Sequence, residues 1–139
     1  MIWSRKPSLD QLNALSVNSC AENVGIEFVD AGEDYLLAKM PVDKRTTQPF
    51  GILHGGASCV LAETIGSVAS MCVVEDPNTQ KAVGMSINAN HVTPATKGFV
   101  NARCTPLNLG KKVHIWNIEI ENEEGKLVCI SRLTVMIVS

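Results

Sequence analysis

The stretch HGGASCVLAETIGSVASMCVV, residues 54–74, decides how the rest of the chain must be arranged. Gly, Ala, Ser, Val, Leu, Ile, Met and Cys fill it on every side, and its only charged residue is Glu63. A helix apolar on all faces is a buried one. A membrane span would have similar length, but the many small residues and the acid at mid-helix argue against it. The expectation is a core helix from His54 to Val74 that the remaining segments cover.

Working outward, those segments look like strands. Upstream, Ser8-Leu9-Asp10-Gln11 has the form of a capping box, and Leu9, Leu12 and Leu15 repeat at helical spacing, predicting a short amphipathic helix. Ile26 to Ala31 and Tyr35 to Met40 are β-prone stretches flanking the turn-forming Gly32-Glu33-Asp34, a hairpin pattern. A polar loop, Val42 to Phe50, then leads to the helix. Beyond a turn at Asp76-Pro77-Asn78 come four strand-like runs: Ala82 to Val92, Phe99 to Pro106, Val113 to Glu121 and Leu127 to Val138. Turn chemistry at Thr96-Lys97-Gly98, Asn108-Leu109-Gly110 and Glu123-Glu124-Gly125 joins them by short connections, as an antiparallel meander requires. The expected class is α+β, a six-stranded antiparallel sheet curling around one long buried helix. There is no repeat, linker or Rossmann or P-loop glycine pattern, so residues 1–139 are expected to form one domain.

Bulk properties narrow the function classes. The chain is 45% hydrophobic and 19% charged, the balance of an ordinary globular protein with some apolar surface to spare for a subunit interface. A formal net charge of -2 gives no broad basic field, which argues against nucleic acid as a partner. Cys20, Cys59, Cys72, Cys104 and Cys129 are odd in number and show no zinc-ligand spacing, so reduced thiols and a cytoplasmic location are expected.

Glu63 carries the chemistry. A carboxylate inside an apolar helix bears a desolvation cost unless hydrogen bonds or cations favour the ion, and such a cost usually has a use. Ser67 follows one turn later, where its hydroxyl can meet Glu63 or a bound water, or simply bond backward to a carbonyl. At the helix start, His54-Gly55-Gly56 offers free amides with partial positive charge, and glycines let a ligand oxygen approach them. That is oxyanion-hole chemistry, although the same residues also make a tight helix start. Gln48 places an amide donor on the approach loop. Phe50, Val68 and Met71 are candidates for walls of a substrate pocket or for plain core packing.

Taken together, Gln48, His54-Gly55-Gly56, Glu63 and Ser67 resemble the active-site segment of hotdog-fold acyl-coenzyme A (CoA) thioesterases. The likeness is to the subgroup with its acid on the central helix. That subgroup includes hydrolases of 4-hydroxybenzoyl-CoA and 1,4-dihydroxy-2-naphthoyl-CoA and the proofreading thioesterase of enterobactin synthesis. It extends from Met1-Ile2-Trp3 through Met40-Pro41-Val42-Asp43 and Ile87 to Val92, to Ser131-Arg132-Leu133-Thr134, nearly the whole chain. The resemblance implies a dimer, commonly built into a tetramer, and hydrolysis of an acyl-CoA, aryl or medium-chain, or of an acyl-carrier thioester. It implies Glu63 as nucleophile or general base, and the Gly55 amide as the group that polarises the carbonyl. Gln48 and His54 would hold that carbonyl, and Ser67 would position Glu63 or its water. CoA contacts map onto Gly84, onto His91, Val92, Thr93 and Pro94, and onto Asn108, Leu109, Gly110, Lys111, Lys112 and Val113, with Arg132 and Lys112 as phosphate partners. No cofactor or metal is implied, since a thioester carbonyl is electrophilic and its thiolate leaves readily.

Hotdog folds also host dehydratases and noncatalytic acyl-thioester binding proteins, so fold alone does not select hydrolysis. A dehydratase would need an acid and a base placed for water elimination, and His54 with Glu63 fits that description too. A binding protein would hold the thioester without turnover.

Overall fold

A computed structural model describes residues 1–139. Two short helices, α1 (Leu9–Leu15) and α2 (Cys20–Asn23), precede strands β1 (Glu27–Ala31) and β2 (Leu36–Pro41). The long helix α3 (Gly55–Val73) follows, then β3 (Lys81–His91), β4 (Phe99–Leu109), β5 (Val113–Glu121) and β6 (Leu127–Val138). The class is α+β, and the six strands form one antiparallel sheet that packs around α3, the hotdog architecture.

Ser8 caps α1, its Oγ accepting from the Gln11 N–H, the serine half of the expected capping box. The Asn13 side chain then ties α1 to the sheet, accepting from Phe28 N–H at 2.8 Å and donating to Phe28 C=O at 3.1 Å. Helix α2 is absent from the sequence expectation. Four residues carry no periodicity to detect, and its N-cap Ser19 makes no side-chain bond to the helix, its hydroxyl donating instead to Ser16 C=O at 2.6 Å.

Strand order corrects the expected meander. The sheet runs β1-β2-β4-β5-β6-β3, so β3 pairs with β6 and not with β4. Helix α3 crosses the sheet face and delivers the chain to the far edge, and residues 92–98 bring it back so that β4 can pair with β2. Strand β4 also outlasts its predicted end at Pro106. A bulge between Pro106 and Asn108 accommodates the proline, and pairing with β5 resumes to Leu109.

Small residues let α3 lie close to the sheet. A Cβ on Gly66 would sit 2.4 Å from Leu133 Cδ2, and Ala62, Ala69 and Ser70 on the same face are fully buried. Leu61, Ile65, Trp116, Ile118 and Leu133 complete this core, each contributing about 1.5–3 kcal/mol by burial. The opposite face of α3 is not covered: Val60, Thr64, Ser67, Val68 and Met71 are half-buried and Glu63 is exposed. The expectation of a helix buried on all sides is therefore corrected for the single chain.

The C-terminal carbonyls of α3 are satisfied by the N-terminal segment. Ser4 N–H donates to Cys72 C=O at 3.0 Å, Ser4 Oγ donates to Val73 C=O, and the Arg5 guanidinium donates to the Met71 and Val74 carbonyls. Trp3 stacks on Trp116 with ring centroids 6.3 Å apart.

Beneath that stack lies a buried polar triplet. Ser70 Oγ accepts from Trp116 Nε1–H at 2.8 Å and lies 3.0 Å from His114 Nδ1. Burial pushes the His114 pKa below its ordinary 6.5, opposed by a hydrogen bond to the Gly110 backbone. The native state therefore binds fewer protons than the unfolded chain below about pH 6.5. The His114 contribution to stability is complete above that pH and is lost as pH falls toward the lower folded value. Urea midpoints from pH 7.5 to about 5 should decline more steeply for the parent than for His114→Gln, and equal slopes would exclude this source. Asp43, held at about 2 by its hydrogen bonds from Arg45, acts in a separate, more acidic window.

Candidate active site

The polar loop ends in a bridge between Thr47 and Leu53, with Leu53 N–H donating to Ala95 C=O and His54 N–H to Thr46 C=O, both at 2.8 Å. These bonds fix where α3 starts. His54 is its N-cap, with extended φ/ψ of -68° and 131°, and its Nδ1 accepts from Gly56 N–H at 2.8 Å. The ring thus uses Nδ1 on the helix and presents Nε2–H outward. Ala57 and Ser58 donate to His54 C=O, whereas the Gly55 N–H has no acceptor within the chain. A free amide at the positive end of a helix of 19 residues is a ready donor to a carbonyl oxygen.

Around that amide lies a depression of about 380 Å³ lined by Gln48, Gly55, Ser58, His91, Val92, Thr93 and Pro94. His91 closes over the helix start, and a Cβ on Gly55 would lie 2.9 Å from its Nε2. Gln48, Gly55 and residues 91–94 are therefore brought together as the sequence suggested. Ser58 and Ile52 in this lining were missed. Ser58 lies one turn beyond Gly55, and that spacing was the available signal.

Glu63 and Ser67 line a second depression of about 500 Å³, with Gly56, Cys59, Thr64 and, from α2, Cys20. No local pattern could have pointed to Cys20, which arrives from a distant segment. Gly84 of β3 lies directly against the catalytic candidate. A Cβ there would sit 2.9 Å from Glu63 Oε2 and 3.2 Å from its Cδ, so glycine leaves the carboxylate room to lie over the strand. The Cys59 thiol is pushed up first by burial and then by the Glu63 carboxylate, which keeps it protonated and a poor nucleophile.

The remaining sequence candidates do not gather with these in one chain. Asn108 to Val113 form the β4–β5 turn, where Asn108 Nδ2 and Gly110 N both donate to Val113 C=O, and Leu109, Gly110 and Lys111 line a hollow with Val73 and Val74 at the other end of α3. Lys112 is exposed on that turn. Arg132 lies on the sheet face away from α3, beside Asn88 and Asn117. Phe50 is 90% exposed and walls neither depression. Val68 does line the Glu63 depression.

Residues 50–129 match the model of the thioesterase superfamily. The chain belongs to that family. It is 53% identical over 137 residues to the 1,4-dihydroxy-2-naphthoyl-CoA hydrolase of Escherichia coli, covering 99% of each chain. It is 48% identical over 134 residues to the proofreading thioesterase EntH of Cronobacter turicensis, covering 96% of each. A crystal structure of a thioesterase from Haemophilus influenzae superimposes with a TM-score of 0.96 at 49% identity, covering 100% of this chain and 96% of that one. As a member of this family, the chain is a hydrolase acting on thioesters.

Proposed function

We propose that the chain, folded as one domain, is a cytoplasmic hydrolase of acyl-CoA thioesters, releasing free acid and CoA, with an aryl or medium-chain acyl group. The names of its E. coli and Cronobacter relatives support CoA thioesters and a proofreading-type thioesterase role. The free Gly55 amide polarises the thioester carbonyl, with Gln48 and the outward Nε2–H of His54 beside it. Glu63 attacks that carbon or activates the water that does, and Ser67 holds Glu63 or the water.

The observation that carries the proposal is the separation of the two halves. Gly55 and Glu63 line different depressions and are eight residues apart, about 12 Å along the helix axis. Both must come within about 3 Å of one carbonyl, which a Glu side chain on the same helix cannot manage. Two copies with antiparallel α3 helices across a twofold axis bring one copy's Gly55 to the other's Glu63. The uncovered face of α3 and the open edge of β3, with Val83 and Met85 exposed, favour such a dimer, and a pair of dimers gives the expected tetramer. The phosphate and nucleotide of CoA would then draw on His91 to Pro94, the Asn108 to Val113 turn and Arg132 from more than one copy.

A thiol-release screen over short, medium, long and aromatic acyl-CoA thioesters tests this directly. Turnover of aryl or medium-chain substrates is expected, and no release from any of them would remove the proposal. Enoyl product from a β-hydroxyacyl thioester without free thiol would indicate a dehydratase instead.

A further inference from the structure

We propose that the Ser58 hydroxyl is a second donor to the thioester carbonyl, working beside the Gly55 amide. The inference rests on that amide being the group that polarises the carbonyl. Five polar residues are buried, Thr46, Ser58, Ser70, His114 and Ser131. Four of them are hydrogen-bonded through their side chains within the chain, and the hydroxyl of Ser58, a residue 2% exposed, is not. Burying a hydroxyl without a partner costs stability, and such a group in a folded protein calls for a reason. The acceptor that a helical serine ordinarily uses lies four residues back, and here His54 C=O already takes the Ala57 N–H at 3.0 Å and the Ser58 N–H at 3.3 Å. No fully enclosed side-chain nitrogen or oxygen of the chain lacks a partner, so the Ser58 oxygen keeps contact with open space. That space is the depression of about 380 Å³ around the Gly55 amide, which Ser58 lines together with Gln48 and His91.

Helix geometry brings the two donors toward one point. Gly55 and Ser58 are three residues apart, hence on the same side of α3 and separated by about 4.5 Å of rise. Side chains lean toward the helix N-terminus, so the Ser58 oxygen is carried back toward the Gly55 amide. The walls next to it, Leu53, Ala95 and Val128, are buried and apolar. Their backbone groups are in use, Leu53 N–H donating to Ala95 C=O and Val128 C=O accepting from Val92 N–H, both at 2.8 Å. The hydroxyl proton is therefore left for an oxygen that arrives with the substrate. As negative charge builds on the carbonyl oxygen during attack, a fixed neutral donor binds it more strongly without giving up its proton.

Ser58→Ala removes the hydroxyl and no bond that the fold uses. Its thermal midpoint should equal or exceed that of the parent, while kcat for benzoyl-CoA hydrolysis falls about tenfold or more. Two uncleavable thioethers separate the carbonyl from the rest of the ligand, since S-phenacyl-CoA carries a ketone oxygen and S-phenethyl-CoA has a methylene in its place. By calorimetry the first should bind the variant about threefold more weakly than the parent, as loss of one neutral hydrogen bond predicts, and the second should bind both alike. Equal weakening of the two thioethers would mean that the hydroxyl holds another part of the ligand, and unchanged turnover would leave Ser58 without a part in the reaction. Either result overturns the proposal and leaves the hydrolase assignment standing. A parent that hydrolyses no CoA thioester, yet loses S-phenacyl-CoA affinity selectively on Ser58→Ala, would keep the donor and remove the hydrolase.

Discussion

Glu63→Ala is expected to lower kcat for thiol release by on the order of 10²-fold or more, the usual worth of a general base or nucleophile held in place. Stability should barely move. Glu63 is exposed, none of the three ion pairs of the chain involves it, and its carboxylate lies over Gly84 without filling a core position. The thermal midpoint is therefore expected within about 2 °C of the parent, as for other surface truncations. A folded variant with near-parent turnover would make Glu63 structural and end the mechanism proposed above. A single turnover in isotope-labelled water then tests the nucleophilic route. Label left in the enzyme means that Glu63 attacked and formed a mixed anhydride that water opened at the glutamyl carbonyl, whereas label only in the product acid is the outcome of base catalysis and of an anhydride opened at the acyl carbon alike.

The second large effect is recovery of activity from two inactive variants. Gly55→Pro deletes the free amide with little disturbance elsewhere. Position 55 is the first of the helix, where proline is tolerated, and His54 already has the extended φ/ψ that a residue before proline prefers. The nearest atoms to a Cβ at this position belong to the His91 ring, a side chain that can turn aside. Unfolded Glu63→Ala and Gly55→Pro chains, mixed equally and refolded, should pair at random, making about half the dimers mixed. Each mixed dimer holds one intact site and one doubly damaged site, so roughly a quarter of parent turnover should return where each variant alone has almost none. Subunit mixing verified by mass spectrometry, with no recovery, would sink the shared site.

What the sequence made legible follows from what is local. The Ser8 cap of α1, the hairpin turn at Gly32 to Asp34 and the span of α3 are all readable, because caps, turns and hydrophobic periods act within a few residues. Partner choice among strands is not local. The alternation in β3 suits pairing with β4 or β6 equally, and only the path of α3 across the sheet sends β3 to the edge. Pro106 reads as a stop because the bulge beside it, between Pro106 and Asn108, cannot be seen from composition. The error over α3 is instructive. Its outward face, with Val60, Val68 and Met71 around Glu63, is as apolar as a buried face, yet its own chain leaves it open. Composition registers that a surface wants cover without saying whose atoms provide it. For the site, Gln48, Gly55 and His91 to Pro94 do converge, as do Glu63 and Ser67, but the grouping into two depressions is a property of the folded chain.

The chain has two tryptophans, Trp3 and Trp116, and they are stacked on each other at 6.3 Å. All indole emission and all indole circular dichroism therefore originate at a single spot, where the first residues of the chain meet the sheet beneath the end of α3. The pair is a built-in optical gauge. Peeling of the N-terminal segment from the helix would break the stack and expose Trp3 while Trp116 stays bonded to Ser70, so exciton coupling would vanish before the emission of the buried indole shifts to the red. Global unfolding would change both together. An optical melt can thus separate fraying at one end from collapse of the whole without any dye or label.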